Sequence, residues 1–302
     1  MMRSQLNKML LSFTGALVLF LIGLVIYTGL QQNKSTDLGN SPIRVVSSLN
    51  SYGEMAEAVL GNQGEVKSVM TNPDVDPHDY EPTANTAKLY ERATVTISNG
   101  GGYDTWSERF TKANKDVKAV NVGEMYHYQE GQNEHFWYQP DVVNRVTNAL
   151  VDTYSAIKPD QRAYFEQNAK NYQKKMQKVD HLRTQLKQEM AGKGVLATEP
   201  VFDPQLEAVG AKRLDTAFAQ AIDEGNDPTP AAMSEWQGKL KNHEAVAVID
   251  NTQSSSKLVK QALQEAKAAG VPIVPVTESM PKNTSYIDWQ YNQLKSLQKA
   301  VQ

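Results

Sequence analysis

The sequence predicts an α/β protein of two βα lobes joined by one long helix. Three observations carry that reading. From Ile43, short β-branched runs alternate with amphipathic helical segments. The alternation breaks at Lys158-Pro159-Asp160, and a polar, Gln- and Lys-rich stretch without Pro or Gly runs from Asp160 to about Met190. At Gly194 the βα alternation starts again.

In the first half, Ile43 to Ser47 and Glu65 to Met70 read as strands, with a helix from Glu54 to Leu60 between them closed by Gly61. A Pro- and Asp-rich loop, Thr71 to Pro82, precedes a helix capped by Thr83 and running to Arg92. Thr94 to Ser98 is a strand ending in Asn99-Gly100-Gly101-Gly102. Thr105 to Ala113 reads as a helix, Val117 to Val122 as a strand and Asp141 to Ile157 as a helix. The apolar positions Tyr172, Met176, Val179, Leu182, Leu186 and Met190 keep helical spacing through the polar stretch, which suits one helix lying across two lobes. The second half gives strands at Gly194 to Thr198, Ala211 to Leu214, Ala245 to Asp250 and Val271 to Val276. Its helices begin at Thr229-Pro230, a cap followed by Pro at the first helical position, then at Ser255 and Ser285. The predicted organisation is thus 1–42 as cytoplasmic stub, transmembrane anchor or signal and linker, 43–159 as N-terminal lobe, 160–192 as linker helix and 193–302 as C-terminal lobe. A cleft between lobes is the default place for a ligand.

Arg3 and Lys8 precede an uncharged apolar stretch, of which Leu10 to Leu30 would span a hydrocarbon core as a helix of about 20 residues. It is longer than a typical signal-peptide core and no A-x-A site follows it, so an uncleaved N-terminal transmembrane helix is expected, with a long cleaved signal as the alternative. Positive charge before it orients the rest of the chain outside the cytoplasm. The chain has 302 residues and a net charge of -3, which offers no basic field for nucleic acid. It has no cysteine, which removes disulfides, thiol catalysis, thiolate metal sites and a lipid anchor on an N-terminal cysteine. Any metal site must use nitrogen and oxygen donors, and there are only five histidines.

Four segments could supply them. His78 lies in the stiff loop Asn72 to Pro82, flanked by Asp76, Asp79 and Glu81, which could orient a ligating imidazole; a surface histidine is the plainer reading. His135 precedes Phe136-Trp137-Tyr138, aromatics that either belong to the core or shield an ion from water. Glu199 and Glu278 each follow a strand of the second half, where α/β folds place functional residues, and Asp250 holds the equivalent place on its own strand. These three acids compete as ligands.

Pro-His at 77–78, His-Phe-Trp-Tyr at 135–138, Glu-Pro-Val-Phe at 199–202, Asp-Asn-Thr-Gln at 250–253 and Val-Thr-Glu-Ser-Met-Pro at 276–281 occur in order. In this the chain resembles the zinc/manganese-type solute-binding proteins of ABC importers, the TroA-like metal receptors, over residues 43 to 302. The resemblance implies two lobes joined by a rigid long helix, with one Zn²⁺ or Mn²⁺ as transported ligand in the interlobe cleft. It implies His78 and His135 as ligands from the first lobe and Glu199 and Glu278 from the second. It further implies an ABC permease as partner and a monomer without catalysis. The chain departs from the family in having Gln139 where an Asp often precedes the proline. It also has Glu199 where many zinc members carry a third histidine, and a 123–134 loop whose one histidine is His127.

Two imidazoles and two carboxylates favour manganese by ligand hardness and zinc by intrinsic affinity, so the sequence leaves both open. Neutral histidines are needed, which predicts weaker binding below about pH 6. A metallohydrolase is the rival enzyme reading, but no H-E-x-x-H is present; a surface adhesin is the structural one. The glycines at 100–102 read as a turn rather than a nucleotide loop, and no phosphate-binding G-x-x-x-x-G-K-[ST] exists.

Overall fold

Parallel strands cannot be joined by a tight turn, so each needs a crossover, and both halves of this chain supply helices for it. The structure is a computed structural model that describes residues 38–73, 77, 80–254 and 256–302. In the first half the elements are β1 (Ile43–Leu49), α1 (Asn50–Leu60), β2 (Gly64–Met70), α2 (Ala84–Arg92), β3 (Val95–Ser98), α3 (Thr105–Ala113) and β4 (Lys118–Asn121). The short α4 (Val122–Met125) and then α5 (Val142–Ser155) follow. The sheet is all-parallel in the order β2-β1-β3-β4, with Val45 paired to both Val66 and Val95.

The second half repeats this plan. It contains β5 (Gly194–Ala197), α8 (Asp203–Ala208), β6 (Lys212–Arg213), α9 (Thr216–Asp223), α10 (Pro230–Lys241), β7 (Ala245–Asn251), α11 (Lys257–Ala268), β8 (Ile273–Val276) and α12 (Tyr286–Val301). Its sheet is again all-parallel, in the order β6-β5-β7-β8. The two orders are the same, so each lobe has one point where the crossovers diverge: between β1 and β3, and between β5 and β7. The crevice at the carboxyl ends of such strands is where open α/β sheets hold ligands.

Local sequence signals act as their chemistry requires. Thr83 and Thr86 form a reciprocal capping box at α2. Thr229 caps α10, with Pro230 leading the helix. Ser256 and Ser285 cap α11 and α12, and Gly270, at φ 73°, follows α11. Phe218 of α9 packs on Trp236 of α10 with ring centroids 4.5 Å apart, inside a core that includes Leu196, Val248, Val259 and Ala262.

The connecting stretch is not one unbroken helix. It is two, α6 (Arg162–Lys175) and α7 (Gln177–Met190), which meet at Met176. There the Met176 N–H bonds back only three residues, to the Gln173 carbonyl at 3.0 Å, and the Met176 carbonyl accepts from both Val179 and Asp180. No Pro or Gly causes the break. Its cause is tertiary: α6 packs on α1 and α5 with Phe165, Ala169 and Tyr172 buried, whereas α7 packs along α12 with Val179, Leu182, Leu186 and Met190 buried. Each half of the connection thus serves a different lobe.

The lobes are locked by polar contacts around α1 and α12. The Glu54 carboxylate accepts from the Tyr172 hydroxyl at 2.8 Å and from the Tyr286 backbone N–H at 2.7 Å, so one side chain joins α1, α6 and α12. The Tyr286 hydroxyl donates to the Trp137 carbonyl at 2.6 Å. Among the described residues no helix is long and apolar enough to cross a membrane; the expected span Leu10 to Leu30 lies outside them.

Candidate metal centre

Three side chains converge between the two sheets. His135 sits just before a single 3-10 turn, Phe136–Tyr138, and is wholly buried. The Asn133 side-chain oxygen accepts from the His135 backbone N–H at 2.9 Å and stands 3.0 Å from ring Nδ1. With Nδ1–H committed to Asn133, Nε2 is the atom left to serve the site. Nε2 is buried without a hydrogen bond and faces Glu278 Oε1 at 3.6 Å and Asp223 Oδ1 at 3.9 Å. Donor atoms of His135, Asp223 and Glu278 all lie within 4.8 Å of one another. Ligands about 2.1 Å from a metal stand about 3.0–3.4 Å apart when adjacent, so a modest contraction would bring these onto one ion.

The second lobe holds its acids by strand ends. Glu278 follows β8; its backbone N–H donates to the Gln253 side-chain oxygen at 2.7 Å, and the Tyr103 hydroxyl donates to its Oε2 at 3.3 Å. Tyr103 comes from the Gly100-Gly101-Gly102 turn at the end of β3, whose three glycines have φ of 73°, 65° and 90°. A Cβ at Gly101 would stand 3.0 Å from the Phe136 ring, so the turn's approach to the His135 segment depends on glycine there. Glu199 follows β5 and is also buried. Its Oε2 accepts a hydrogen bond from Asn251 Nδ2, which also reaches Glu278 Oε1 at 3.4 Å. Asn251, the last residue of β7, therefore ties Glu199 to Glu278.

Strand alternation separates Asp250 from the Glu199–Glu278 pair. Because Asn251 points at Glu199 and Glu278, Asp250 projects from the opposite face of β7. Burial raises its pKa, and its charged neighbour is Lys267 of α11 rather than any site residue. His127 is exposed, at φ 54° in a turn, and has no part in the cluster.

The electrostatics follow from this crowding. Burial by itself would lower the His135 pKa, but Glu278, then Asp223 and Glu134, outweigh it and raise the value to about 9. Burial and the Glu278 charge raise Glu199 to about 7, against hydrogen bonds from Asn251 and Ser254. The metal-free centre thus favours a proton on His135, where a cation would replace it. Aromatic rings close the back: Trp137 meets His135 edge-on at 5.2 Å, and the Tyr138 hydroxyl, with one proton to give, stands 2.5 Å from the Thr277 carbonyl and 2.8 Å from Gln293 Oε1. Trp137 and Tyr138 are fully buried, so they are core and wall at once.

The sequence profile described as "Zinc-uptake complex component A periplasmic" matches residues 45–300. The chain belongs to this zinc-uptake component A family. Among its relatives, the "High-affinity zinc uptake system protein ZnuA" of Bacillus subtilis is 21% identical over 88% of this chain and 90% of its own. The "Manganese ABC transporter substrate-binding lipoprotein PsaA" of Streptococcus mitis is 22% identical over 93% and 95%. Of solved structures, the Mn-bound periplasmic metal-binding protein of Candidatus Liberibacter asiaticus superposes with a TM-score of 0.69 at 18% identity, over 86% of this chain and 100% of that one. A laminin-binding adhesin of Streptococcus agalactiae gives 0.72 at 16%, with the same coverage. At such identities the superpositions establish the fold, two parallel-sheet lobes.

Of the four ligands expected from the sequence, the structure brings His135, Glu199 and Glu278 to one place. His78 lies outside the described residues. Its neighbours Pro77 and Tyr80 line a cavity of about 150 Å³ together with Met70 and Ser279, the residue after Glu278. Asp223 is not among the four. It ends α9, a helix of eight residues whose N-cap position holds Asp215 without a side-chain capping bond, and sits in Asp223-Glu224-Gly225-Asn226-Asp227, which reads as an acidic surface turn. The signal that points to it is the buried set Phe218, Ala219 and Ile222, which gives α9 one core face, together with the Gly225 stop.

Proposed function

We propose that this chain is the extracytoplasmic substrate-binding component of an ABC importer for a divalent transition metal, zinc or manganese, and that His78, His135, Glu199 and Glu278 hold the ion. The observation that carries this reading is His135 Nε2, fully buried, tautomerically fixed by Asn133 and aimed at carboxylates of the opposite lobe. A lobe-spanning nitrogen–oxygen donor set suits a cation whose capture draws the lobes together, and it suits both metals borne by the relatives' names. The ion displaces the His135 proton and neutralises the crowded carboxylates; a permease reads the closed form. Family membership argues for binding without turnover rather than for a hydrolase.

The finer organisation is part of the same reading. Residues 43–159 and 193–302 act as the two lobes, and 160–192 as the spine between them. The apolar run Leu10 to Leu30 tethers the protein as an uncleaved helix, in place of the lipid that a chain without cysteine cannot carry. The protein works as a monomer.

Isothermal titration of the purified full chain with Zn²⁺ and Mn²⁺ tests the function. Single-site binding in the wild type, lost in the His78→Ala/His135→Ala double variant, is the expected result. Undiminished binding of both metals in that variant would refute the ligand set, and a wild type that binds neither metal would refute the function.

A further inference from the structure

The centre contains one more acid than the four-ligand set uses, and that acid lies closer to His135 than a bystander needs to. Asp223 Oδ1 is 3.9 Å from His135 Nε2, with its side chain only 7% exposed. The compact trio of possible ligands is His135, Asp223 and Glu278; Glu199 lies beside it, joined to Glu278 through Asn251. His135 Nε2 is wholly buried, makes no hydrogen bond and is aimed at both the Asp223 and the Glu278 carboxylate, as an unfilled ligand atom would be.

The position of Asp223 is fixed by packing rather than by loop flexibility. Phe218, Ala219 and Ile222 bury one face of α9, with Phe218 packed on Trp236. The helix is closed by bonds from Gly225 to Ile222 and from Asn226 to Ala221, with Gly225 at φ 70°. The last turn of α9 is therefore held in place, and Asp223 projects from it into the cleft.

We infer that Asp223 is a metal-binding residue that adds a further carboxylate to the ion, and that it biases this centre toward manganese over zinc. The inference rests on the proposed function and deepens it. The chemistry is that of donor number and hardness. Zinc is satisfied by four ligands in a tetrahedron, whereas manganese favours higher coordination with more oxygen. A carboxylate supplied by α9, beside those after β5 and β8, raises both the oxygen count and the available coordination number. Glu199 keeps its place in the set and is joined to Glu278 through Asn251.

Three preparations of the full chain test this: wild type, Asp223→Asn and, as a surface control outside the cluster, Glu224→Gln. Asn is isosteric with Asp, so the fold is expected to hold, as circular dichroism would show; Asp223→Ser is the second variant if it does not. The expected result is a loss of Mn²⁺ affinity of at least about tenfold in Asp223→Asn, the lower bound found even for groups that touch a metal only through another ligand. Zn²⁺ affinity should fall less. Co²⁺ as a spectroscopic probe should show stronger visible absorption in the variant, as the coordination number drops toward tetrahedral. Glu224→Gln should match the wild type in all three. Unchanged Mn²⁺ affinity and an unchanged Co²⁺ spectrum in Asp223→Asn would overturn the role of Asp223 while leaving the receptor function standing. Equal losses for Mn²⁺ and Zn²⁺ with an unchanged Co²⁺ spectrum would also overturn it, since that pattern marks a general charge effect. A wild type that binds neither metal would instead bring down the function itself.

Discussion

Raising the pH from about 6.5 to about 9.5 should destabilise the metal-free protein and tighten its hold on metal, both through one proton on His135. An ordinary imidazole releases that proton near 6.5; here Glu278, Asp223 and Glu134 overcome the opposing effect of burial and hold it to about 9. Because the folded-state value is raised, the stabilisation is fully present below 6.5 and disappears as pH rises through about 9. At about 1.4 kcal/mol per pH unit, the rise corresponds to about 3 kcal/mol. Glu199, raised from 4.5 to about 7, loses its own contribution mostly below this window. The same proton competes with the ion, so apparent metal affinity should climb up to about tenfold per pH unit across the window. This moves the expected loss of binding upward from the value near pH 6 that free histidine chemistry suggests. Urea unfolding of metal-free wild type and His135→Gln across the range measures the first effect, and metal titration of the wild type the second. A wild-type stability slope between about pH 7.5 and 9.5 that survives in His135→Gln would refute the reasoning.

Two further outcomes follow from packing and from the hydrogen bonds around the acids. Trp236→Ala removes a fully buried ring packed on Phe218 and should cost about 3–5 kcal/mol in thermal or urea unfolding; a loss under about 1 kcal/mol would show that the α9–α10 contact is not core. Asn251→Ala frees Glu199 and Glu278 from their shared donor and should weaken metal binding about ten- to hundredfold with the fold retained, measured by competition with a chelating dye. An affinity within about twofold of the wild type would show that the two acids need no tie.

Much of the architecture was legible because its signals are local. β-branched runs, the caps Thr83, Thr229 and Ser285, and the stop at Gly270 each act within a few residues, and the structure uses all of them. The break at Met176 was not legible, because no residue there disfavours a helix; it arises from α6 and α7 packing on different lobes. At the site, His135, Glu199 and Glu278, which the structure brings to one place, could be singled out because residues at strand ends or beside aromatics carry sequence context. Asp223 sits among the residues of a surface turn, and its only signal was indirect, the apolar spacing of Phe218, Ala219 and Ile222 ahead of the Gly225 stop.

By itself, the sequence determined which chemistry was available: no thiol, few histidines, carboxylates after strands and a second βα series repeating the first. Only the tertiary structure decided which of these groups meet. Strand alternation turned Asn251 inward and Asp250 away, Asn133 chose the histidine nitrogen that faces the cleft, and the core face of α9 carried Asp223 to within 3.9 Å of it. The physical reason is that donor type is a property of single residues, whereas convergence depends on the rotation of each element about its own axis, which contacts distant in the chain set.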